Sequence, residues 1–106
     1  MVTFEYDNEN SRNTTQTIGT TATKIGERLP IGTRIVIVFT NVSSGSQIIT
    51  MSTGGANTAS AGIPLRVGDK WVESVDSRFN PSNNEWWAIS DVAGATLAVY
   101  ERQKLA

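Results

Sequence analysis

Hydrophobic and polar residues alternate along short stretches of this chain, as they do in β-strands, and no window repeats apolar residues at helical spacing. Val, Ile, Thr, Trp and Tyr fill these stretches, and such residues favour a pleated, half-buried surface. Clusters of Gly, Pro, Ser and Asn separate them. The pattern predicts strands at residues 2–6, 17–25 (interrupted at Gly19), 33–42, 47–52, 63–67, 70–75, 85–90 and 95–102.

The spacing of these strands predicts an all-β protein, a single small antiparallel β-sandwich of about eight strands with a jelly-roll-like arrangement. We expect one domain over residues 1–106, in which residues 1–15 form an N-terminal strand and a polar arm (residues 7–15). A chain of 106 residues buries only about two-thirds of its unfolded surface, and domains this small often gain stability by association.

Three stretches carry more apolar side chains than one buried face of a strand accommodates, because neighbouring strand residues point to opposite sides. They are residues 35–39, 86–87 and 97–100. Ile35, Ile37 and Phe39 are expected to face the core, which directs Val36 and Val38 outward. Either a loop or the N-terminal arm covers the outward side chains, or they form a subunit contact, since large exposed apolar patches usually mark contacts. The predicted interface residues are Phe4, Tyr6, Val36, Val38, Trp86, Trp87 and Tyr100.

Charge and hydropathy exclude two classes of partner. The net charge is -1, with 9 basic and 10 acidic residues, so the chain lacks the basic field of a nucleic-acid-binding protein. No stretch approaches the roughly 20 apolar residues that span a bilayer. The N-terminus has neither a basic start nor an apolar core, so we expect no signal peptide.

The residue types that carry most catalysis and metal binding are missing, since the chain has no cysteine and no histidine. Four carboxylates, Asp69, Glu73, Asp76 and Glu85, are the remaining catalytic candidates, and we expect them to cap turns and face solvent. Residues 7–10 resemble the start of a calcium loop but lack its later glycine and closing glutamate. The sequence therefore predicts a protein that is not an enzyme and holds no metal and no cofactor.

Aromatic residues leave a sugar-binding surface open as an alternative. Trp71, Trp86, Trp87, Tyr6 and Tyr100 are suited to stacking on sugars, although such residues also fill cores and interfaces. On this alternative, the loops at residues 53–61 and 80–84 supply the polar contacts to a glycan.

Five segments together resemble small β-sandwich accessory proteins of phage and related virus particles, which decorate or cement capsids or form spikes. The resemblance extends over roughly residues 22–101. The segments are residues 22–25, residues 35–37 running to Asn41, residues 62–65 with Gly68 and Trp71, residues 85–89, and residues 94–101.

The resemblance implies a virion structural protein, made in the host cytoplasm, that acts as a capsid decoration or cement subunit through protein–protein contacts. Its implied partners are further copies of itself, with a homotrimer favoured, and the major capsid protein or another virion protein. The alternative is a spike or receptor-binding module that recognises surface glycans. The resemblance supplies no catalytic residues.

Overall fold

A computed structural model describes residues 11–28, 34–56, 58, 60–74 and 84–103. The predicted strand at residues 2–6, the first part of the polar arm at residues 7–10 and the predicted loop at residues 80–83 lie outside them. The described residues form eight strands: β1 (Ser11–Ile18), β2 (Thr23–Gly26), β3 (Arg34–Asn41), β4 (Ile49–Thr53), β5 (Ile63–Leu65), β6 (Lys70–Ser74), β7 (Trp86–Ser90) and β8 (Ala95–Gln103). Across these ranges no helix has the length and apolar character to cross a membrane.

The strands form two four-stranded antiparallel sheets. Sheet A has the order β1-β8-β3-β6, and sheet B has the order β2-β7-β4-β5. Pairing is nested, so that β1 pairs with β8, β2 with β7, β3 with β6 and β4 with β5. The pairs β3·β8 and β4·β7 then join two of these nested pairs within each sheet. This arrangement is a jelly roll, which confirms the predicted fold class.

The core lies between the two sheets. Phe39 of sheet A and Trp86 of sheet B meet there at a ring-centroid distance of 5.0 Å in a tilted arrangement, which suits two aromatic quadrupoles. The prediction that Phe39 faces inward is confirmed, and of the adjacent tryptophans it is Trp86 that enters the core. The buried apolar residues are Ile18, Ile25, Ile37, Phe39, Ile49, Met51, Leu65, Trp86, Ala88, Ala95, Leu97 and Val99.

The second half of the predicted polar arm is wrong, because residues 11–15 belong to β1. Every residue of β1 pairs with β8, from Ser11 opposite Arg102 to Ile18 opposite Ala95. β1 is an edge strand of sheet A, and its side chains are mostly half-buried or exposed. A threonine-rich segment suits such a strand without showing the apolar alternation that marks a central one.

One predicted core position, Ile35, and the end of the predicted strand at residues 63–67 also differ. The pairing of β3 with β8 shifts register between Arg34 and Val36, which leaves Ile35 half-buried and turns Arg34 inward at 1% exposure. Val67 lies beyond the end of β5 and is 44% exposed, so it does not share a buried face with Leu65.

Gly62 provides a test of the close approach between the chain entering β5 and β4. Its φ is +136°, and a Cβ atom at this position would lie 2.3 Å from the carbonyl oxygen of Met51. Gly54 also has a positive φ, +90°, but a Cβ there meets nothing within 4 Å. Backbone strain costs about 1–3 kcal/mol at either position, and only Gly62→Ala must also displace β4.

We therefore expect Gly62→Ala to lower the free energy of unfolding by more than Gly54→Ala does, as measured by urea denaturation. Equal losses for the two variants would contradict the packing of residue 62 against β4.

Candidate interaction surfaces

The predicted interface residues do not share one surface. Trp86 is 2% exposed and packs in the core, so it offers no surface to a partner and is removed from the candidate interface. Trp87 is half-buried on the outer side of sheet B, because it follows Trp86 directly in β7. Phe4 and Tyr6 lie outside the described residues.

The outer side of sheet A, here called the A face, carries a band of apolar side chains. Val38 pairs with Tyr100 of β8 and with Val72 of β6, so these three residues form one row across the sheet. Val36 and Ala98 lie in the two adjoining rows. Val72 is 50% exposed and the other four are half-buried. Three predicted interface residues, Val36, Val38 and Tyr100, are therefore neighbours on one face.

Small polar side chains border this band. Asn13 of the edge strand β1 lies opposite Tyr100, and Thr15 is the next outward residue of β1. A shallow depression of about 360 Å³ runs between β1, β8 and β3. Among the described residues of the A face, the charged ones are Lys70 and Arg102, and both are basic.

The outer side of sheet B has a different character, because charged side chains surround the half-buried indole of Trp87. Trp87 Nε1 donates a hydrogen bond to Glu85 Oε2. Lys24 Nζ lies 6.0 Å from the centroid of the Trp87 ring and forms ion pairs with Glu27 at 3.5 Å and Glu85 at 4.0 Å. Trp87 is thus held within its own chain by groups of both signs.

A buried ion pair closes one end of the sandwich. Arg34 Nε donates to Glu101 Oε2 at 2.8 Å, and the two side chains are 1% and 3% exposed. The two Nη atoms of Arg34 donate to the carbonyl oxygens of Asn84 at 3.1 Å and Glu27 at 2.9 Å. Arg12 of β1 forms a second ion pair with Glu101. One guanidinium therefore ties β3 to β8 and to the segments that follow β2 and precede β7.

The charge of Glu101 is stabilised by its partners. Burial alone would raise the pKa of this carboxyl, but the hydrogen bond and positive charge of Arg34, with help from Gln103 and Arg12, outweigh burial and lower the pKa below its ordinary value of 4.5. Glu101 is therefore ionised in the folded protein at neutral pH.

A cleft of about 390 Å³, here called the end cleft, adjoins this ion pair through Asn84. It lies between the end of β4, the start of β5 and the inner side of β6. Apolar side chains, polar side chains and Gly62 line the cleft. The described lining residues are Met51, Ser52, Thr53, Gly62, Ile63, Glu73, Asn84 and Trp86.

Glu73 is the charged residue among the described residues that line the end cleft. Its Oε1 accepts a hydrogen bond from Trp71 Nε1 at 2.9 Å, and Trp71 packs against the core. Its Oε2 is buried and has no hydrogen-bond partner. The two residues stand two apart on β6 and so share its inner face, a spacing from which the sequence alone indicates the contact.

The carboxylates considered as catalytic candidates accept hydrogen bonds from different kinds of donor. Asp69 Oδ2 accepts a hydrogen bond from the Arg66 backbone N–H at 3.0 Å, which confirms the predicted turn cap. Glu73 and Glu85 each accept from an indole, and Asp76 lies outside the described residues. In the described ranges no three His, Cys, Asp or Glu side chains are grouped so as to hold a metal ion.

Comparison with known proteins shows no matching family model and no matching curated protein. Among solved structures, a crystal structure of PirA is similar to 88% of this chain and to 93% of its own chain, with a TM-score of 0.48 and 12% sequence identity. Similarity at this level does not transfer a function from PirA to this chain.

The buried ion pair predicts a specific dependence of stability on pH. Because the pKa of Glu101 is lower in the folded than in the unfolded chain, its stabilisation is present above pH 4.5 and is lost as the pH falls through the folded value. Glu101→Gln leaves Arg34 buried without its counter-charge, so we expect a loss of about 3–5 kcal/mol at neutral pH.

Chemical denaturation across an acid series measures this effect. The wild-type protein should lose more stability on acidification than Glu101→Gln does, whereas Glu27→Gln, at a side chain that is 75% exposed, should follow the wild type. Parallel pH profiles for the wild type and Glu101→Gln would contradict the assignment.

Proposed function

We propose that this chain is a structural subunit of a virus particle, a capsid decoration or cement protein that acts through contacts made by the A face. The observation that carries the proposal is the row formed by Val38, Tyr100 and Val72 on the outer side of sheet A. Apolar residues grouped on an outer sheet face usually mark a protein contact. The resemblance to virion accessory proteins supplies the particle as the setting.

The edges of sheet A favour contact through the face over contact through an unpaired edge. Arg12 of the edge strand β1 turns inward to Glu101, and Lys70 begins the other edge strand, β6. Inward-pointing charges and edge lysines are common devices against open-ended strand pairing. A partner therefore covers the A face without extending the sheet.

The charges on the A face indicate the chemistry of the partner. The described charged residues there, Lys70 and Arg102, are basic, and complementary charge at a rim speeds and orients association. We expect a partner surface with an apolar centre and acidic groups around it, as the major capsid protein or a neighbouring copy in a trimer would supply. Burial of the Val38 row then resists separation of the shell subunits.

Val72 offers a test with a closely matched control. Val72→Asp places a charge in the apolar row, whereas Val92→Asp makes the same change at a valine of similar exposure, 54% against 50%, outside the A face. We expect Val72→Asp to weaken binding to particles that lack the protein by about tenfold or more, because a buried unpaired charge is costly.

Binding is measured by co-sedimentation of each purified variant with the particles, after thermal unfolding has shown that both variants fold. Equal loss of binding by Val92→Asp, or wild-type binding by Val72→Asp, would contradict the A face as the contact.

The virion setting is tested by mass spectrometry of purified particles, scaled to the major shell subunit. A copy number close to the copy number of that subunit supports decoration or cement, because only a position repeated over the whole lattice requires so many copies. A small fraction of it indicates a vertex spike or tail component instead. Complete absence from particles would overturn the proposal.

A further inference from the structure

We infer that the end cleft is a binding site for a neutral saccharide, recognised by the Glu73 carboxylate together with Ile63 and Thr53. This goes beyond the structural role proposed for the A face. The cleft lies on the inner side of β6 and at the ends of β4 and β5, so it does not include the apolar row of the A face.

The unpartnered oxygen of Glu73 is the first observation that points to a ligand. A buried carboxylate oxygen without a hydrogen bond carries a desolvation cost, and a donor from a ligand offsets it. Trp71 Nε1 already occupies the other oxygen at 2.9 Å, which fixes the orientation of the carboxylate. The cleft therefore presents one oriented acceptor.

Asn84 is held at the cleft by the ion pair beside it. Its carbonyl oxygen accepts from the buried Arg34 guanidinium at 3.1 Å, which anchors the backbone of this residue. Glu73 is anchored in turn by a β6 pairing in which it stands opposite the fully buried Ile37. The Glu73 carboxylate and the backbone of Asn84 are thus positioned before any ligand arrives, which lowers the entropy cost of binding.

The remaining lining matches a sugar ring, which has apolar C–H surfaces and hydroxyl groups that both donate and accept. Ile63, which is half-buried, supplies apolar surface, and the exposed Thr53 supplies a hydroxyl. A volume of about 390 Å³ is in the range of small-ligand pockets.

Charge narrows the ligand class. Glu73 is the charged side chain among the described lining residues, so the cleft repels anionic sugars and phosphates and favours hydroxyl donors. A single carboxylate is also a poor site for a divalent cation, which requires several oxygen ligands. A neutral pyranose donates a hydroxyl hydrogen to the Glu73 acceptor and covers Ile63 at the same time.

The experiment is an NMR titration of ¹⁵N-labelled protein that follows the indole N–H of Trp71 and the side-chain amide of Asn84. The probes are the methyl glycosides of glucose, galactose, mannose and N-acetylglucosamine, with N-acetylneuraminic acid and free arginine as charged comparisons. We expect saturable shifts of both signals with at least one neutral glycoside, and no saturable shift with the acidic sugar.

Glu73→Gln removes the charge and keeps the acceptor for Trp71, and we expect it to weaken glycoside binding by about tenfold. Glu27→Gln, the same change at an exposed carboxylate away from the cleft, should bind as the wild type does. Thr53→Val reports on the same cleft from an exposed position, and we expect it to weaken binding by about threefold.

Three results would overturn the inference. The first is the absence of a saturable shift with every neutral glycoside. The second is wild-type affinity in both Glu73→Gln and Thr53→Val. The third is preferential binding of arginine, which would make the cleft a socket for a basic side chain of a protein partner.

Discussion

Adjacent residues of a β-strand face opposite sides of the sheet, and this constraint determines which surfaces the molecule has to offer. In β3 and β8, Phe39 and Val99 fill the core, so Val38 and Tyr100 necessarily point away from it. A central strand pair that is apolar on both sides is suited to being covered on both sides. Sheet B covers one side, and the proposed partner covers the other.

Much of the fold was predictable from a pattern in which runs rich in β-branched and aromatic residues are separated by turn residues. The positions of β3, β4, β6, β7 and β8 follow from it. β1 did not, because an edge strand rich in threonine is specified by its pairing with β8 and not by an apolar pattern of its own. Ile35 was misplaced for a related reason, since a register shift depends on the partner strand and leaves no mark on local periodicity.

The sites were less predictable, because they depend on contacts between residues far apart in the chain. Arg34 and Glu101 are 67 residues apart, and nothing in either neighbourhood indicates that the two are buried together. Asn41 is similar, since it is fully buried while its side chain donates to the carbonyl oxygens of Gln47 and Leu65. The Trp71–Glu73 pair was accessible in principle, because its members stand two apart on one strand.

The central claim is that the A face, and not the opposite side of the sandwich, is the surface covered in the assembly. Hydroxyl-radical footprinting of the free protein and of purified particles compares Tyr100 on the A face with Trp87 on the outer side of sheet B, two half-buried aromatic side chains. The account predicts that oxidation of Tyr100 falls sharply on particles while that of Trp87 stays near its value in the free protein. Protection of Trp87 with unchanged oxidation of Tyr100 would contradict it.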